Sequence, residues 1–183
     1  MSDDITVLCV CTFNRTRSVM MAALLQHHLA DLGIAVRVAS AGTRADGGAP
    51  TRETVRMLAE YGIDVNGHQG APLDQQVVES ADLIVTAEQQ HVVDVAGHWP
   101  DALASTFTLA ELVERAQMCG GRLGAPLDEW RALLNEGRPT GIDYLDDRTI
   151  SEIADPTGLD SRTWNATFAQ IDDLTRRLAV AIG

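Results

Sequence analysis

A cysteine and an arginine separated by five residues stand near the start of the chain, in Cys11-Thr-Phe-Asn-Arg-Thr-Arg17-Ser18. The apolar run 5–10 precedes them and a helical pattern follows them. A loop that curls from a strand into a helix start aims successive backbone N–H groups at one point, where an anion binds. The same groups and the helix dipole favour a thiolate, which is the nucleophilic form of cysteine. The pattern therefore predicts a phosphate-binding loop with Cys11 as nucleophile.

The other loop residues suit the same chemistry. The planar fork of Arg17 can grip two phosphate oxygens, which a lysine cannot do. Ser18 can donate a hydrogen bond to the thiolate, and Asn14 suits a left-handed backbone position. Cys-x5-Arg alone also occurs by chance. The alternative interpretation is therefore that Cys11 is a buried thiol and Arg17 a surface charge. We expect the whole loop to bind substrate: Thr12, Phe13, Asn14, Arg15, Thr16 and Ser18.

A phosphatase of this kind also needs an acid that protonates the leaving oxygen. Asp155 is the candidate, because Pro156 after it fixes the backbone in an extended form. An Asp-Pro pair is also a common turn before a helix, and spacing alone does not separate the two interpretations. Three other carboxylates compete for the role: Asp143, Asp146 and Asp147.

Short apolar runs alternate with helical patterns along the chain. Strands are predicted at residues 5–10, 35–39, 83–86 and 106–109. Strands separated by helices form βαβ units, so we expect an α/β fold with a parallel sheet covered on both faces. Its ligand site should lie beyond the carboxyl ends of the strands, and Cys11 follows the first strand. The longer predicted helices span residues 21–32, 50–62, 127–134 and 164–182.

Residues 109–147 are difficult to interpret, because seven glycines and prolines interrupt them from residue 120 onward. Leu127, Trp130, Leu133 and Leu134 predict one helix, and the rest is predicted to form loops at the edge of the sheet. The chain has no internal repeat and no low-complexity tract. We therefore expect one domain over residues 1–183.

Charge and cysteine content limit the partners and the compartment. The formal net charge is -12, and all 14 basic residues are arginine, which argues against nucleic acid and anionic membranes as partners. Three cysteines make a poor disulfide framework, and the acidic start does not resemble a signal peptide. We expect a cytoplasmic protein that acts on a phosphorylated protein or a small phosphate ester. No cofactor is expected, and no metal, because the adjacent His27 and His28 do not make a chelating pair.

The chain resembles the low-molecular-weight protein tyrosine phosphatases. The resemblance rests on the loop 11–18, on Ser40-Ala-Gly-Thr43, on the segments 58–64 and 81–84, and on Asp155-Pro156. It implies a three-layer sandwich with a four-stranded parallel sheet. It also implies Cys11 as nucleophile, Arg17 as phosphate clamp, and Asp155 as general acid and then base.

Several positions depart from the family's pattern. Phe13 replaces a loop glycine, and Thr16 replaces a second cysteine, so the protective disulfide of the family cannot form. Arg15 adds a second charge beside the site. Thr157-Gly158 stands where many members have two tyrosines, so a preference for phosphotyrosine does not follow from the resemblance. Of the family's His-x-x-Arg motif, only His68 is kept.

Three functions fit these residues. The first is a phosphomonoester hydrolase with a cysteinyl-phosphate intermediate. The second is an arsenate reductase that borrows a small thiol, since only Cys119 lies beyond the loop and the thioredoxin-coupled kind needs two further cysteines. The third is a non-catalytic phosphate-binding module, against which the nucleophile and the acid argue. The hydrolase is the favoured prediction.

Overall fold

A single parallel sheet organises the chain. The computed structural model describes residues 5–183, and its four strands lie in the order β2-β1-β3-β4. The strands are β1 (Thr6–Cys11), β2 (Arg37–Gly42), β3 (Leu83–Thr86) and β4 (Thr106–Thr108). The helices are α1 (Arg17–Asp31), α2 (Arg52–Ala59), α3 (Gln75–Glu79), α4 (Gln89–His98), α5 (Leu109–Cys119), α6 (Leu127–Asn135), α7 (Ile142–Asp146) and α8 (Ser161–Ile182). A 3-10 turn, Pro100–Ser105, precedes β4.

Helices cover both faces of the sheet, as predicted. Successive side chains of a strand point to opposite faces. Val7, Cys9 and Cys11 of β1 accordingly join one apolar cluster, while Leu8 and Val10 join the other. The first cluster is formed with α1, α2, α5, α6 and α8, and the second with α3 and α4. The fold is therefore the three-layer α/β sandwich that the sequence predicts.

The first apolar cluster runs from Ile5 to Ile182. This continuity supports the interpretation of residues 1–183 as one domain, which stays a prediction. No helix formed by residues 5–183 is long and apolar enough to cross a membrane.

Several element boundaries differ from the prediction, three of them near the site. Strand β2 begins at Arg37 and reaches Gly42, because its register with β1 carries it to the end of that strand. Helix α2 begins at Arg52, since the side chain of Thr51 accepts a hydrogen bond from the Thr54 N–H and caps it. Cys11 is the last residue of β1 and not the first residue after it.

The prediction of loops after residue 109 is wrong for two helices, the short α7 and, over a longer stretch, α5. Leu109 is the first residue of this helix and does not belong to a strand. Thr108 and Glu111 form a capping box at the helix start. The helix buries Leu112 and Val113 in the larger cluster. The sequence contains both the capping box and the helical spacing of this helix. The glycines that follow it are typical of loops, and they determined the prediction.

The last helix, α8, closes the core, and its packing can be tested with two substitutions. Ile171 is fully buried, whereas Val180 on the same helix is 61% exposed. We expect Ile171→Ala to lower the free energy of unfolding by about 2–5 kcal/mol, because it leaves a cavity. Val180→Ala should change it by less than about 0.5 kcal/mol. Urea unfolding of both variants measures the difference, and similar small losses would contradict the packing role of α8.

Candidate active site

Residues 12–16 form a loop between β1 and α1 and belong to neither helix nor strand. The loop leads into α1, whose first N–H groups have no partner within the helix. Asn14 has a φ of 54°, the left-handed conformation that the sequence predicts for it. Phe13 does not adopt a positive φ, so it replaces a glycine without that strain. The backbone therefore turns as an anion-binding loop requires.

Two glycines allow neighbouring backbone to pack against this loop. A Cβ atom at Gly42 would lie 2.7 Å from the Thr12 carbonyl oxygen and 2.8 Å from the Asn14 nitrogen. A Cβ atom at Gly70 would lie 2.9 Å from the Phe13 carbonyl oxygen. Both contacts involve backbone atoms of the loop, which cannot move aside as a flexible side chain can. The shape of the loop thus depends on glycine at both positions.

The Cys11 sulfur lies 3.0 Å from the Ser18 hydroxyl oxygen. The Asn14 side-chain amide donates a hydrogen bond to the same hydroxyl oxygen at 2.9 Å. Because the hydroxyl accepts from Asn14, its own hydrogen is free to point at the sulfur. Ser18 is thereby oriented so that it can donate to the sulfur, and its role as a donor to the thiolate stays a prediction.

The orientation of Asn14 is fixed from the segment that follows β2. The Ala71 N–H donates to Asn14 Oδ1 at 2.9 Å, which identifies this atom as the oxygen of the amide. His68 Nε2 donates to the Asn14 carbonyl oxygen at 2.9 Å. His68 was not among the predicted site residues. The structure makes it a support of the loop.

Arg17 is 2% exposed and connects three parts of the chain. Its Nη1 group donates to the Glu88 carboxylate and, at 2.9 Å, to the Ile153 carbonyl oxygen. Its Nη2 group donates to Asp155 Oδ2 at 3.1 Å. No acceptor among residues 5–183 contacts its Nε atom. The edge of the guanidinium formed by Nε and Nη2 therefore remains for an incoming anion, which would compete with Asp155.

Asp155 lies at the pocket because the preceding segment is hydrogen-bonded to the end of β3. The Ile153 N–H donates to the Ala87 carbonyl oxygen at 2.9 Å. The Thr157 N–H donates to Asp155 Oδ1 at 3.0 Å. Partial burial raises the pKa of Asp155, but the bonds from Thr157 and the charge of Arg17 outweigh it, so the pKa is lowered overall. This carboxyl is therefore ionised at neutral pH when the pocket holds no anion.

A buried histidine connects the loop to the start of α4. The Glu88 N–H donates to His91 Nδ1 at 3.2 Å, so in the neutral ring Nε2 carries the proton. Nε2 lies 3.0 Å from the Thr12 hydroxyl oxygen and donates to it. Burial and the nearby Arg17 charge lower the pKa of His91, which keeps the ring neutral. His91 was predicted to be a surface or capping residue; it does cap α4, but it is buried.

The pocket brings together most of the predicted site. Asn14 and Ser18 are fully buried and do not line the pocket, but Ser18 contacts the Cys11 sulfur and Asn14 donates to Ser18. The competing carboxylates Asp143, Asp146 and Asp147 do not line it. The residues that line it are Cys11, Thr12, Phe13, Arg15, Thr16, Arg17, Thr51, Asp155 and Thr157.

The expectation that His27 and His28 form no metal site stays a prediction. Potential ligand atoms of these two residues and of Asp31 lie within 4.8 Å of one another. His28 Nε2 is already hydrogen-bonded to Asp172 at 2.9 Å. The two adjacent histidines therefore do converge with a carboxylate, outside the pocket of Cys11.

The family follows from a comparison of the whole sequence. Residues 6–136 match the family model described as low molecular weight phosphotyrosine protein phosphatase. This range covers more than half of the chain and includes the loop of Cys11. The chain therefore belongs to the low molecular weight phosphotyrosine protein phosphatases and is a cysteine-dependent phosphatase.

Individual relatives are named after different activities. The chain is 36% identical over 108 residues to a protein-arginine-phosphatase of Bacillus subtilis, which covers 58% of this chain and 71% of that protein. It is 34% identical over 108 residues to the probable low molecular weight protein-tyrosine-phosphatase EpsP of Ralstonia nicotianae, with 58% and 72% covered. An arsenate reductase of Brevibacillus brevis is 37% identical over 86 residues, with 47% and 60% covered.

A solved structure extends the likeness to nearly the whole fold. It is a mutant of the YwlE arginine phosphatase with a phosphorylated active-site serine. Its TM-score is 0.73 at 26% identity, with 96% of this chain and 94% of that chain covered.

Sequence reasoning did not assign His68, Glu88 and His91 to the site. Glu88 follows β3 by two residues, at the carboxyl edge of the sheet where ligand sites of this fold lie. That position was the available signal for Glu88. His68 carried a weaker signal as the remaining residue of the family's His-x-x-Arg motif.

The close contact at Gly42 can be tested directly. We expect Gly42→Ala to weaken binding of inorganic phosphate by about tenfold or more, because the added methyl group displaces backbone amides that hold the anion. Competitive inhibition of p-nitrophenyl phosphate hydrolysis measures this affinity. Gly97→Ala is the matched control, since nothing lies within 4 Å of a Cβ atom there. Unchanged phosphate affinity in Gly42→Ala would contradict the role of this contact.

Proposed function

We propose that the protein hydrolyses phosphomonoesters in two steps at Cys11. In the first step the thiolate attacks phosphorus, an S–P bond forms and the P–O bond to the leaving group breaks. In the second step water attacks phosphorus, the S–P bond breaks, and inorganic phosphate and the thiolate are released. The observation that carries this proposal is the Cys11–Ser18 contact of 3.0 Å beneath the anion loop. The donor stabilises sulfur both as attacking and as leaving group.

Arg17 stabilises the transferring phosphoryl group in this proposal. Glu88 and the Ile153 carbonyl group hold Nη1, so the guanidinium is oriented before substrate arrives. Nε and Nη2 then donate to two equatorial oxygens, whose charge increases in the transition state. The hydrogen bond between the Thr12 hydroxyl and His91 holds the loop from α4.

Asp155 acts as the general acid and then as the general base. When phosphate takes the place of Asp155 on Arg17, the carboxyl loses a cationic partner and gains a dianion as neighbour. Both changes favour its protonated form. The proton is given to the leaving oxygen in the first step and is recovered from water in the second.

The substrate is a phosphorylated protein or a small phosphate ester. Phe13 is the aromatic residue that lines the pocket, and it is 49% exposed at the mouth. It can pack against one face of a substrate ring. We further propose that the protein acts in the cytoplasm, since Cys9, Cys11 and Cys119 are all free thiols and the mechanism needs Cys11 reduced.

Arsenate reduction is the second candidate, and the relative named arsenate reductase favours it. Neither Cys9 nor Cys119 lines the pocket, so an external thiol would have to attack the arsenic bound at Cys11. Turnover of arsenate that depends on glutathione would support this activity. Simple competitive inhibition by arsenate would leave the hydrolase as the function.

The nucleophile is tested by Cys11→Ser. We expect turnover of p-nitrophenyl phosphate to fall by about a thousandfold or more, because the alkoxide needed is a much rarer species than the thiolate. Binding of inorganic phosphate, measured by calorimetry, should persist, since the backbone amides and Arg17 remain. Cys9→Ala is the matched control, a buried thiol two residues away on the same face of β1, and it should keep its turnover. Full activity in Cys11→Ser would refute the proposed mechanism.

The general acid is tested by comparing two leaving groups in Asp155→Ala. Benzyl phosphate turnover should fall by about 10²–10⁴-fold, whereas p-nitrophenyl phosphate should lose much less, because nitrophenolate leaves without a proton. In the unaltered protein the kcat for benzyl phosphate should decrease as pH rises, since Asp155 has to be protonated. The variant should lack this decrease. Equal losses for both substrates would remove Asp155 from the acid role.

A further inference from the structure

A second arginine stands at the wall of the pocket and takes no part in the steps above. Arg15 lines the pocket next to Phe13 and Thr16. Its backbone is fixed, because the Thr51 N–H donates to the Arg15 carbonyl oxygen at 3.1 Å. Its side chain is anchored as well, since Nε donates to the Ala49 carbonyl oxygen at 2.7 Å.

Gly48 provides the space in which this guanidinium lies. A Cβ atom at Gly48 would be 2.9 Å from both Cζ and Nε of Arg15. The backbone of Gly48 does not have a positive φ, so its conformation does not itself demand glycine. The missing side chain therefore matters for the placement of Arg15.

The charge of Arg15 is not neutralised by an ion pair. No carboxylate among residues 5–183 comes within 4.0 Å of its nitrogens, and its terminal Nη groups donate to no acceptor there. Asp46 is close, but its Oδ1 atom accepts a hydrogen bond from the Gly48 N–H. Arg17, in contrast, is paired with both Glu88 and Asp155.

We propose that Arg15 forms a subsite for a second anionic group on the substrate, such as a carboxylate close to the phosphorylated hydroxyl. The proposal rests on the hydrolase function proposed above. Anchoring at Nε leaves the Nη groups free, and their fork matches a carboxylate or a second phosphate. The same cation disfavours a phosphorylated guanidinium group, whose positive charge would lie beside it. In a chain with a net charge of -12, this subsite supplies a local attraction that the protein as a whole does not.

The test compares acidic substrates with neutral ones of the same shape. The 3- and 4-carboxyphenyl phosphates each have a carbamoylphenyl isostere that lacks the charge. We expect the KM of at least one carboxyl compound to be about three- to tenfold below that of its isostere, as one charge-assisted hydrogen bond would provide. In Arg15→Gln this KM preference should disappear, while the ratio of the two kcat values stays the same. The two compounds of a pair also differ in their leaving groups. This difference is the same in both enzymes, so it cancels when the KM ratio of the unaltered protein is compared with that of Arg15→Gln.

Two further variants separate the subsite from a general charge effect. Arg52→Gln removes an equal charge from an exposed groove outside the pocket, so it should keep the preference. Gly48→Ala keeps every charge but displaces the Arg15 guanidinium, so it should weaken the preference in part. Loss of the preference in Arg52→Gln, or its persistence in Arg15→Gln, would refute the subsite.

The same assays distinguish this inference from the proposed function. If Cys11 is not the nucleophile, Cys11→Ser will hydrolyse all four compounds. If only the subsite is wrong, hydrolysis will depend on Cys11 and the unaltered protein will not distinguish carboxyl from carbamoyl compounds. Phosphoarginine gives an opposite readout: its turnover relative to phenyl phosphate should rise in Arg15→Gln.

Discussion

A buried arginine cannot stay unpaired, and this constraint organises the active site around Arg17. Removing a guanidinium from water costs several kcal/mol unless charges and hydrogen bonds replace the lost solvation. Here the replacements come from Glu88 at the start of α4 and from Ile153 and Asp155 before α8. Three segments far apart in sequence are thereby held at one edge of the sheet. The pairing also explains how a chain of strongly negative charge keeps a cation ready for an anionic substrate.

The two carboxylate partners of Arg17 are held by different contacts. Glu88 is tied to the start of α4, where it accepts a hydrogen bond within the capping box with His91. Asp155 bonds to Arg17 through one oxygen and to the Thr157 N–H through the other. In the proposed mechanism phosphate replaces Asp155 and not Glu88. Substrate binding and formation of the protonated acid then become one event, since the same displacement that binds phosphate also raises the pKa of Asp155.

Local chemistry was predictable from sequence, and long-range contacts were not. The loop, the left-handed Asn14 and the contact between Ser18 and Cys11 all lie within residues 11–18, so the motif was sufficient to predict them. Glu88 contacts Arg17 across 71 residues and His91 contacts Thr12 across 79, and no spacing rule covers such distances. Helix α5 was not predicted for another reason. Thr108 and Glu111 have the spacing of a capping box, but the glycines that follow the helix indicate loops.

The chain after β4 is attached to the end of the sheet through Arg138. Arg138 is buried against Glu111 and hydrogen-bonds the Thr106 carbonyl oxygen, so the chain that follows α6 is joined to the end of the sheet. The guanidinium also lies 4.1 Å from the centre of the Phe107 ring, a cation–π contact in a dry setting.

The segment just before Asp155, the proposed general acid, is held by a short series of hydrogen bonds from β4 and from the start of α4. The Thr108 hydroxyl donates to the Ser151 carbonyl oxygen, and the Gln89 N–H donates to the Glu152 carboxylate at 2.8 Å. The Gln89 side chain also donates to the Tyr144 carbonyl oxygen in α7. Residues 151–153 are thus fixed on both sides just before Asp155. A general acid has to be positioned against the leaving group, which requires the backbone that carries it to be fixed. We infer that β4, the start of α4 and α7 together fix this segment, and so connect this part of the fold to the proposed protonation step.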